Sequence, residues 1–220
     1  MPSAAPSAAP SAETPGAAPP RADAPAPTAR LAAKARRRAD LLAAAARLFA
    51  ASGFDAVRLE DIGAACGISG PAVYRHFANK AAVLREILET ASRDLLAGAL
   101  ATEGTQAPGE PVLRALIAFH ADFALENRDV IRVQDRDLRA LPAAERAEVT
   151  ATQRAYIDVW ARQLTALHPD DDAAAAVFRA QAVLGLLNST PRSVRRTPAD
   201  RAARRATLIA MAWAAAAAHA

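Results

Sequence analysis

The sequence predicts an all-α protein, and three observations predict it. Apolar residues make up 52 % of the 220 residues and aromatics only 5 %, so much of the apolar content is alanine, the best helix former and a poor strand former. Large apolar side chains recur at helical spacing in one segment after another, and no stretch alternates at period two as a half-buried strand would. Between those segments stand glycines, prolines and Asn/Asp residues of the kind that start and stop helices.

Taken in order, residues 1–30 come first and hold eight of the fifteen prolines with almost no large apolar side chain. Such a segment cannot offset its ordering entropy, and a disordered arm is expected. Its Arg21 and Arg30 leave two readings open, a passive tail or one that grazes a polyanion. Lys34 to Ser52 is helical, with Leu41, Ala45, Leu48 and Phe49 on one stripe and Gly53 as its stop. Two short helices follow at about 59–66 and 70–77, parted by Gly67-Ile68-Ser69. Asn79 caps a longer helix through Val83, Leu84, Ile87, Leu88 and Leu95. After a Gly/Pro break at 104–111 comes a helix bearing Val112, Leu116, Phe119 and Phe123, then a short segment at 128–140. Pro142 suits the first turn of a helix at about 143–167 that carries Val149, Tyr156, Trp160, Leu164 and Leu167. Asp170, Asp171 and Asp172 favour the positive end of a helix at about 171–188. A basic, Pro-bounded loop at 189–199 leads to a last helix at about 199–218. Nine helices are expected, with no internal repeat.

The formal charge of +4 is unevenly placed. Residues 1–80 hold ten Lys+Arg against six Asp+Glu, and residues 81–220 hold seventeen of each. The excess fits an amino-terminal part that meets a polyanion, although a solvated basic tail gives the same count. Cys66 is the single cysteine, so no intramolecular disulfide can form and a reducing compartment fits. No apolar run approaches the ~18 residues of a membrane span, and the first residues lack the charge and apolar stretch of a secretory signal. A cytoplasmic protein is expected.

The most informative stretch is the pair of short helices over residues 58–77. Leu59, Ile62 and Cys66 line one face of the first, and Ile68, Val73 and Phe77 can meet them from the turn and the second. Gly67 allows the positive φ of a tight inter-helix turn. Ser69 is a plausible cap, and Pro71 fits the first turn because its missing N–H would be unpaired there anyway. Gly70, Ala72, Tyr74, Arg75 and His76 face outward and are small or end in hydrogen-bonding groups. A helix so slight at its amino end fits a ~12 Å major groove. Lys80 and Arg58 flank it as candidate phosphate contacts. An ordinary helical hairpin with a wet face has the same pattern, and periodicity alone leaves both readings open.

The run from Arg38 to about Glu89 resembles the amino-terminal domain of TetR-family regulators. The residues that carry the resemblance are Ala44-Ala45-Ala46-Arg47-Leu48-Phe49, Gly53-Phe54, Leu59-Glu60-Asp61-Ile62-Gly63, Gly67-Ile68-Ser69 and Val73-Tyr74-Arg75-His76-Phe77-Ala78-Asn79-Lys80. The match is ungapped and spans roughly a quarter of the chain. One departure is visible: the family commonly has threonine at the position of Arg58, where its hydroxyl caps the helix and touches a phosphate. Arg58 can reach phosphate by charge, which leaves the cap open. Pro71 replaces a glycine found in many members and suits the helix start.

The resemblance implies a DNA-binding domain at 31–80 and a ligand-binding and dimerisation domain at 81–220. It implies that Tyr74 and His76 contact the DNA backbone, that Lys80 anchors the next helix, and that Gly70, Ala72 and Arg75 lie nearest the base edges; Ser69 and Arg58 complete the expected DNA-binding set. It implies a homodimer through the last two helices, a palindromic double-stranded operator, and a small hydrophobic effector molecule that releases a repressor. Val177, Phe178, Gln181, Leu184, Gly185 and Asn188 on the eighth helix, and Thr207, Ala210, Met211 and Ala214 on the ninth, are spaced for such a seam. They would be spaced alike if both stripes faced their own core.

For the effector, His120 shares a stripe with Leu116 and Phe123. Phe119, Phe123, Tyr156 and Trp160 can supply a wall, with Arg132 or Gln134 to orient a ligand. A satisfied core histidine is the other reading of His120. The segment Asn127 to Leu141, with Arg128, Arg132, Arg136 and Arg139, faintly resembles regulators that sense fatty-acyl or acyl-CoA compounds, as would a solvated charged helix.

An enzyme is not expected. His76, His120, His168 and His219 stand apart from any metal-ligand spacing, and no cofactor motif or phosphate-cradling glycine loop occurs. Gly67-Ile68-Ser69-Gly70 falls short of a nucleophile elbow, since Pro71 stands at the place of its last glycine and no strand precedes it. An effector-free helical adaptor is the remaining rival.

Overall fold

A computed structural model describes residues 27–189 and 198–218. Among them are nine α-helices, one 3₁₀ turn and no strand. In chain order they are α1 (Pro27–Ser52), α2 (Leu59–Ala65), α3 (Gly70–Val73), α4 (Lys80–Glu103), α5 (Glu110–Glu126), α6 (Arg128–Asp137), the 3₁₀ turn η1 (Leu138–Ala140), α7 (Ala143–Leu167), α8 (Ala173–Leu187) and α9 (Pro198–Ala217). The expected arm lies outside the described residues as far as residue 26, and so does the basic loop over 190–197.

Three boundaries differ from expectation, each for a local reason. Helix α1 starts at Pro27, so residues 27–30 belong to a helix and not to the arm. Proline's fixed φ suits a first turn, and the alanines that follow prolong the helix although residues 30–37 are exposed. Helix α3 is regular only over Gly70–Val73. The His76 N–H returns three residues to the Val73 carbonyl at 2.8 Å, which tightens Tyr74–His76 into a turn. Helix α8 starts at Ala173 because Asp172 caps it, its carboxylate accepting from the Ala175 N–H at 2.8 Å.

Other punctuation falls where the sequence places it. Gly53 ends α1 at φ +92°, and Gly67 turns the chain between α2 and α3 at φ +66°. The Asn79 side chain accepts from the Ala82 N–H at 2.8 Å and opens α4.

Two hydrophobic clusters organise these helices. One joins α1, α2 and α3 to the first half of α4 through Leu41, Phe49, Ile62, Val73, Leu84 and Leu88, and Val133, Leu141 and Val149 reach into it from the carboxy-terminal part. The second packs α5, α7, α8 and α9 around Trp160 with the second half of α4. Helix α4 thus runs through both. Ion pairs tie the second cluster's periphery together, among them Asp122–Arg205 between α5 and α9 and Glu103–Arg162 between α4 and α7.

Candidate functional site

The helix-turn-helix is held by close packing that only glycine permits. A Cβ added to Gly63 would stand 2.5 Å from Val73 Cγ2 and 3.1 Å from the Ile68 carbonyl, so α2 and α3 touch backbone to side chain there. One added to Gly70 would meet Glu60 Cγ at 3.1 Å. At the start of α2 the Asp61 carboxylate accepts from the Arg58 N–H at 2.8 Å. Arg58 has no acceptor to offer in return, so the cap that its guanidinium cannot supply comes from Asp61 alone. Ser69 stands at the N-cap of α3 without a side-chain capping bond.

Outward from this frame, Arg75 is exposed and makes no ion pair or hydrogen bond among the described residues, and Ala72 is half-buried beside it. Tyr74 is 51 % exposed, and its hydroxyl donates to Glu60 Oε1 at 3.0 Å. That bond and the Glu60 charge push the phenol above its usual pKa. His76 is half-buried with Nδ1 unpaired. Partial burial and the nearby cations Arg38, Lys34, Arg37 and Arg75 hold its pKa below the ordinary value. Lys80, expected both at a phosphate and as the anchor of the next helix, is held within the protein: its ammonium donates to the Phe54 and Asp55 carbonyls at 2.6 and 3.2 Å and lies 4.3 Å from the Phe54 ring centroid. It ties α4 to the turn after α1, so most of its donor capacity is spent inside the protein.

Sequence reasoning passed over Arg38, which the structure makes the brace of the helix-turn-helix. Its Nε donates to Glu86 Oε1 at 2.6 Å, its two terminal nitrogens donate to Glu86 Oε2 and the His76 carbonyl, and the guanidinium carbon lies 4.2 Å from the Phe77 ring centroid. One residue thus joins α1, the turn after α3 and α4. A triple-arginine run, Arg36-Arg37-Arg38, gives no signal in the sequence as to which member turns inward.

A cavity of about 210 Å³ lies in the carboxy-terminal part, walled by α4, α5, α6, α7 and α8. Of the expected effector residues, His120, Phe123 and Tyr156 line it, and Gln134 joins them from α6. Three do not. Trp160 is fully buried in the core behind the cavity, edge-on to His120 and Tyr156. Phe119 is turned against α4, where a Cβ on Gly98 would stand 2.3 Å from its Cζ. Arg132 is exposed on α6 and outside the lining. Gln181, Leu184, Gly185 and Asn188, expected on a dimer stripe, line the cavity, and Gln181 and Gly185 are also exposed at its mouth. Ser92 and Gln153 were passed over.

His120 is the hub of the cavity's polar wall. Its Nδ1 lies 2.8 Å from the Tyr156 hydroxyl and its Nε2 3.0 Å from Asn188 Oδ1. With Asn188 accepting, the proton belongs on Nε2, and Tyr156 donates to Nδ1. Burial lowers the His120 pKa to about 4 and raises that of Tyr156, so the network is neutral near pH 7. Helix α6 links this wall to the amino-terminal helices. Ile131 and Gln134 face the cavity, Val133 enters the amino-terminal core, and Arg136 donates to the Phe49 carbonyl at the end of α1.

The comparisons agree with this architecture. Residues 41–87 match the family model for bacterial regulatory proteins of the tetR family, and residues 106–192 match a tetracyclin repressor-like carboxy-terminal domain. A TetR-family transcriptional regulator from Bordetella parapertussis 12822 superposes with a TM-score of 0.72 at 25 % identity, over 80 % of this chain and 93 % of that one. A bacterial regulatory protein of the tetR family from Rhodococcus RHA1 gives 0.70 at 23 % identity, over 84 % and 98 %. AibR, solved with isovaleryl coenzyme A and operator DNA, shares the fold with a TM-score of 0.67 at 18 % identity, over 80 % and 97 %. No curated protein matches the chain. With both its amino-terminal and carboxy-terminal parts matched, the chain belongs to the TetR family of bacterial transcriptional regulators.

Proposed function

We propose that the protein is a cytoplasmic, non-catalytic repressor, a homodimer that grips a palindromic operator until a small effector enters the cavity. The observation that carries the reading is the exposed edge at Tyr74 and Arg75, presented by a frame in which Gly63 and Arg38 leave little play. Gly70, Ala72 and Arg75 face the base edges. Ser69, Tyr74, His76 and Arg58 meet phosphate, and Lys80 positions them from behind. The domains act at 31–80 and 81–220 across the shared α4.

Exposed stripes support the dimer. Phe178 is 73 % and Met211 53 % exposed, and around them Ala182 and Gly185 on α8 and Thr207, Ala210 and Ala214 on α9 are exposed too. A Cβ on Gly185 would meet nothing within 4 Å, so its own subunit gives no reason for a glycine there. Two such faces would make a seam and set the reading heads ~34 Å or a multiple apart. Helix α6 supports release. An effector against Ile131 and Gln134 shifts the segment that holds the end of α1, in proportion to its differential affinity for the two dimer states. An acyl-CoA effector gains nothing from Arg136, which is engaged with Asp137 and Phe49, or from Arg132, which lies outside the cavity.

The test is a mobility-shift titration on fragments selected from genomic DNA. Affinity should fall steeply with salt, with a logarithmic slope of about −0.9 per phosphate neutralised. Tyr74→Ala should weaken binding to every sequence alike. Arg75→Ala should relax one base position by roughly 1–3 kcal/mol. A salt-insensitive complex, or equal effects of the two variants on matched and mismatched sites, refutes the assignment.

A further inference from the structure

The cavity has a chemistry as well as a place. Of the thirteen described residues that line it, seven offer a hydrogen-bonding side chain, and none carries a formal charge. Charge does not come from His120 either, which burial keeps neutral near pH 7 and whose two ring nitrogens are already engaged by Tyr156 and Asn188. That network is a finished wall. The unfinished groups stand elsewhere: Ser92 on α4 is 3 % exposed with its Oγ unpaired, and Gln153 on α7 has a buried, unpaired Nε2. Both residues line the cavity. A buried donor without a partner is costly, and a ligand that supplies one recovers that cost.

Size limits the ligand further. At about 210 Å³ the cavity is smaller than the ~300–1,000 Å³ that encloses a drug-sized molecule. An anion or cation placed here would lose its hydration and find no counter-charge among the described lining residues. A neutral carbonyl group loses only hydrogen bonds, which Gln153 and Ser92 can replace.

From this geometry we propose that the cavity selects a small uncharged ligand, with a carbonyl-type acceptor held by the Gln153 amide and the Ser92 hydroxyl and an apolar remainder against Leu95, Phe123 and Ile157, and that it rejects carboxylates, ammonium ions and phosphates. The proposal rests on the reading of this cavity as the effector site. It adds the ligand's chemical class.

The experiment uses the full chain and matched probes: isovaleramide, isovalerate and isoamylamine, then benzamide, benzoate and benzylamine, with isovaleryl-CoA as a charged competitor. Calorimetry measures affinity, and fluorescence anisotropy on an operator fragment measures release. Amides should bind at least ~100-fold tighter than the matched ions, the equivalent of two decades in Kd. Ser92→Ala and Gln153→Leu should each narrow that ratio while leaving operator affinity without ligand unchanged. A carboxylate, amine or isovaleryl-CoA that binds as tightly as the amide overturns the proposal, as does an amide series with no detectable binding. An amide that binds selectively yet leaves operator affinity unaltered upholds the ligand class and sinks the effector reading, so the two failures are distinct.

Discussion

Lowering the pH from 7 to 5 should weaken the fold through His120, and the structure supplies the size of the effect. The imidazole is 3 % exposed and burial depresses its pKa to about 4, against about 6.5 in an unfolded chain. A histidine with a depressed native pKa contributes stability when neutral, above the unfolded value. That contribution drains as pH falls from 6.5 towards 4, because the unfolded chain takes up the proton first. The full difference is on the order of 3 kcal/mol, and at pH 5 about 2 kcal/mol of it should be gone. Protonation would also reverse the bond to Tyr156: its hydroxyl, which now donates to Nδ1, would have to turn its proton away and accept from Nδ1–H. The assay is urea unfolding at fixed protomer concentration, pH 7 and pH 5, for the native chain and for His120→Gln. Other carboxylates and histidines affect both chains alike, so the quantity of interest is the difference between their pH slopes. A slope for His120→Gln as steep as that of the native chain would show that the imidazole is not held neutral by its surroundings, and the argument from burial would fail.

Further perturbations test the frame and the seam. Gly63→Ala should cost about 1–3 kcal/mol by overpacking against Val73, read as a lower urea midpoint, and Val73→Ala should restore part of it. Independence of the two substitutions would count against the close approach. Arg38→Lys keeps the charge but loses the two-pronged contact with Glu86; because the arginine side chain is 37 % exposed, about 1 kcal/mol is expected. A cycle with Glu86→Gln measures it, and additive effects would show no coupling. Phe178→Asp with Met211→Asp should leave the helical circular dichroism intact, since both side chains are largely exposed in the protomer, and should yield a monomer with much weaker operator binding in sedimentation and anisotropy. A variant that stays dimeric relocates the interface.

The parts legible in sequence were those decided by local chemistry. Gly53 and Gly67 could be assigned positive φ because a helix stop and a three-residue turn ask for it, and Asn79 could be named as a cap from the helix pattern behind it. His120, Phe123 and Tyr156 share one cavity because their helical stripes face the same way. What escaped was decided between elements. Trp160 and Tyr156 lie one turn apart on α7, and nothing local says that the indole fills the core while the phenol borders the cavity. Phe119 was lost to the notch at Gly98, and Lys80 to the carbonyls of Phe54 and Asp55, partners distant in sequence. Ser92 and Gln153 were invisible because a small hydroxyl and an amide in an alanine-rich helix carry no pattern.

Helix α4 sets a rule for anyone cutting or grafting this protein. Its Val83, Leu84, Ile87 and Leu88 belong to one hydrophobic cluster, and Leu95 and Ala99 to the other. A fragment ending at Lys80 would lack the first four, leaving Leu41, Phe49, Ile62 and Val73 without that cover, and would also forfeit the plug formed by Val133, Leu141 and Val149. Chimeras that exchange reading heads between relatives should therefore splice within the middle turns of α4 and carry the facing residues of α6 and α7 across with them.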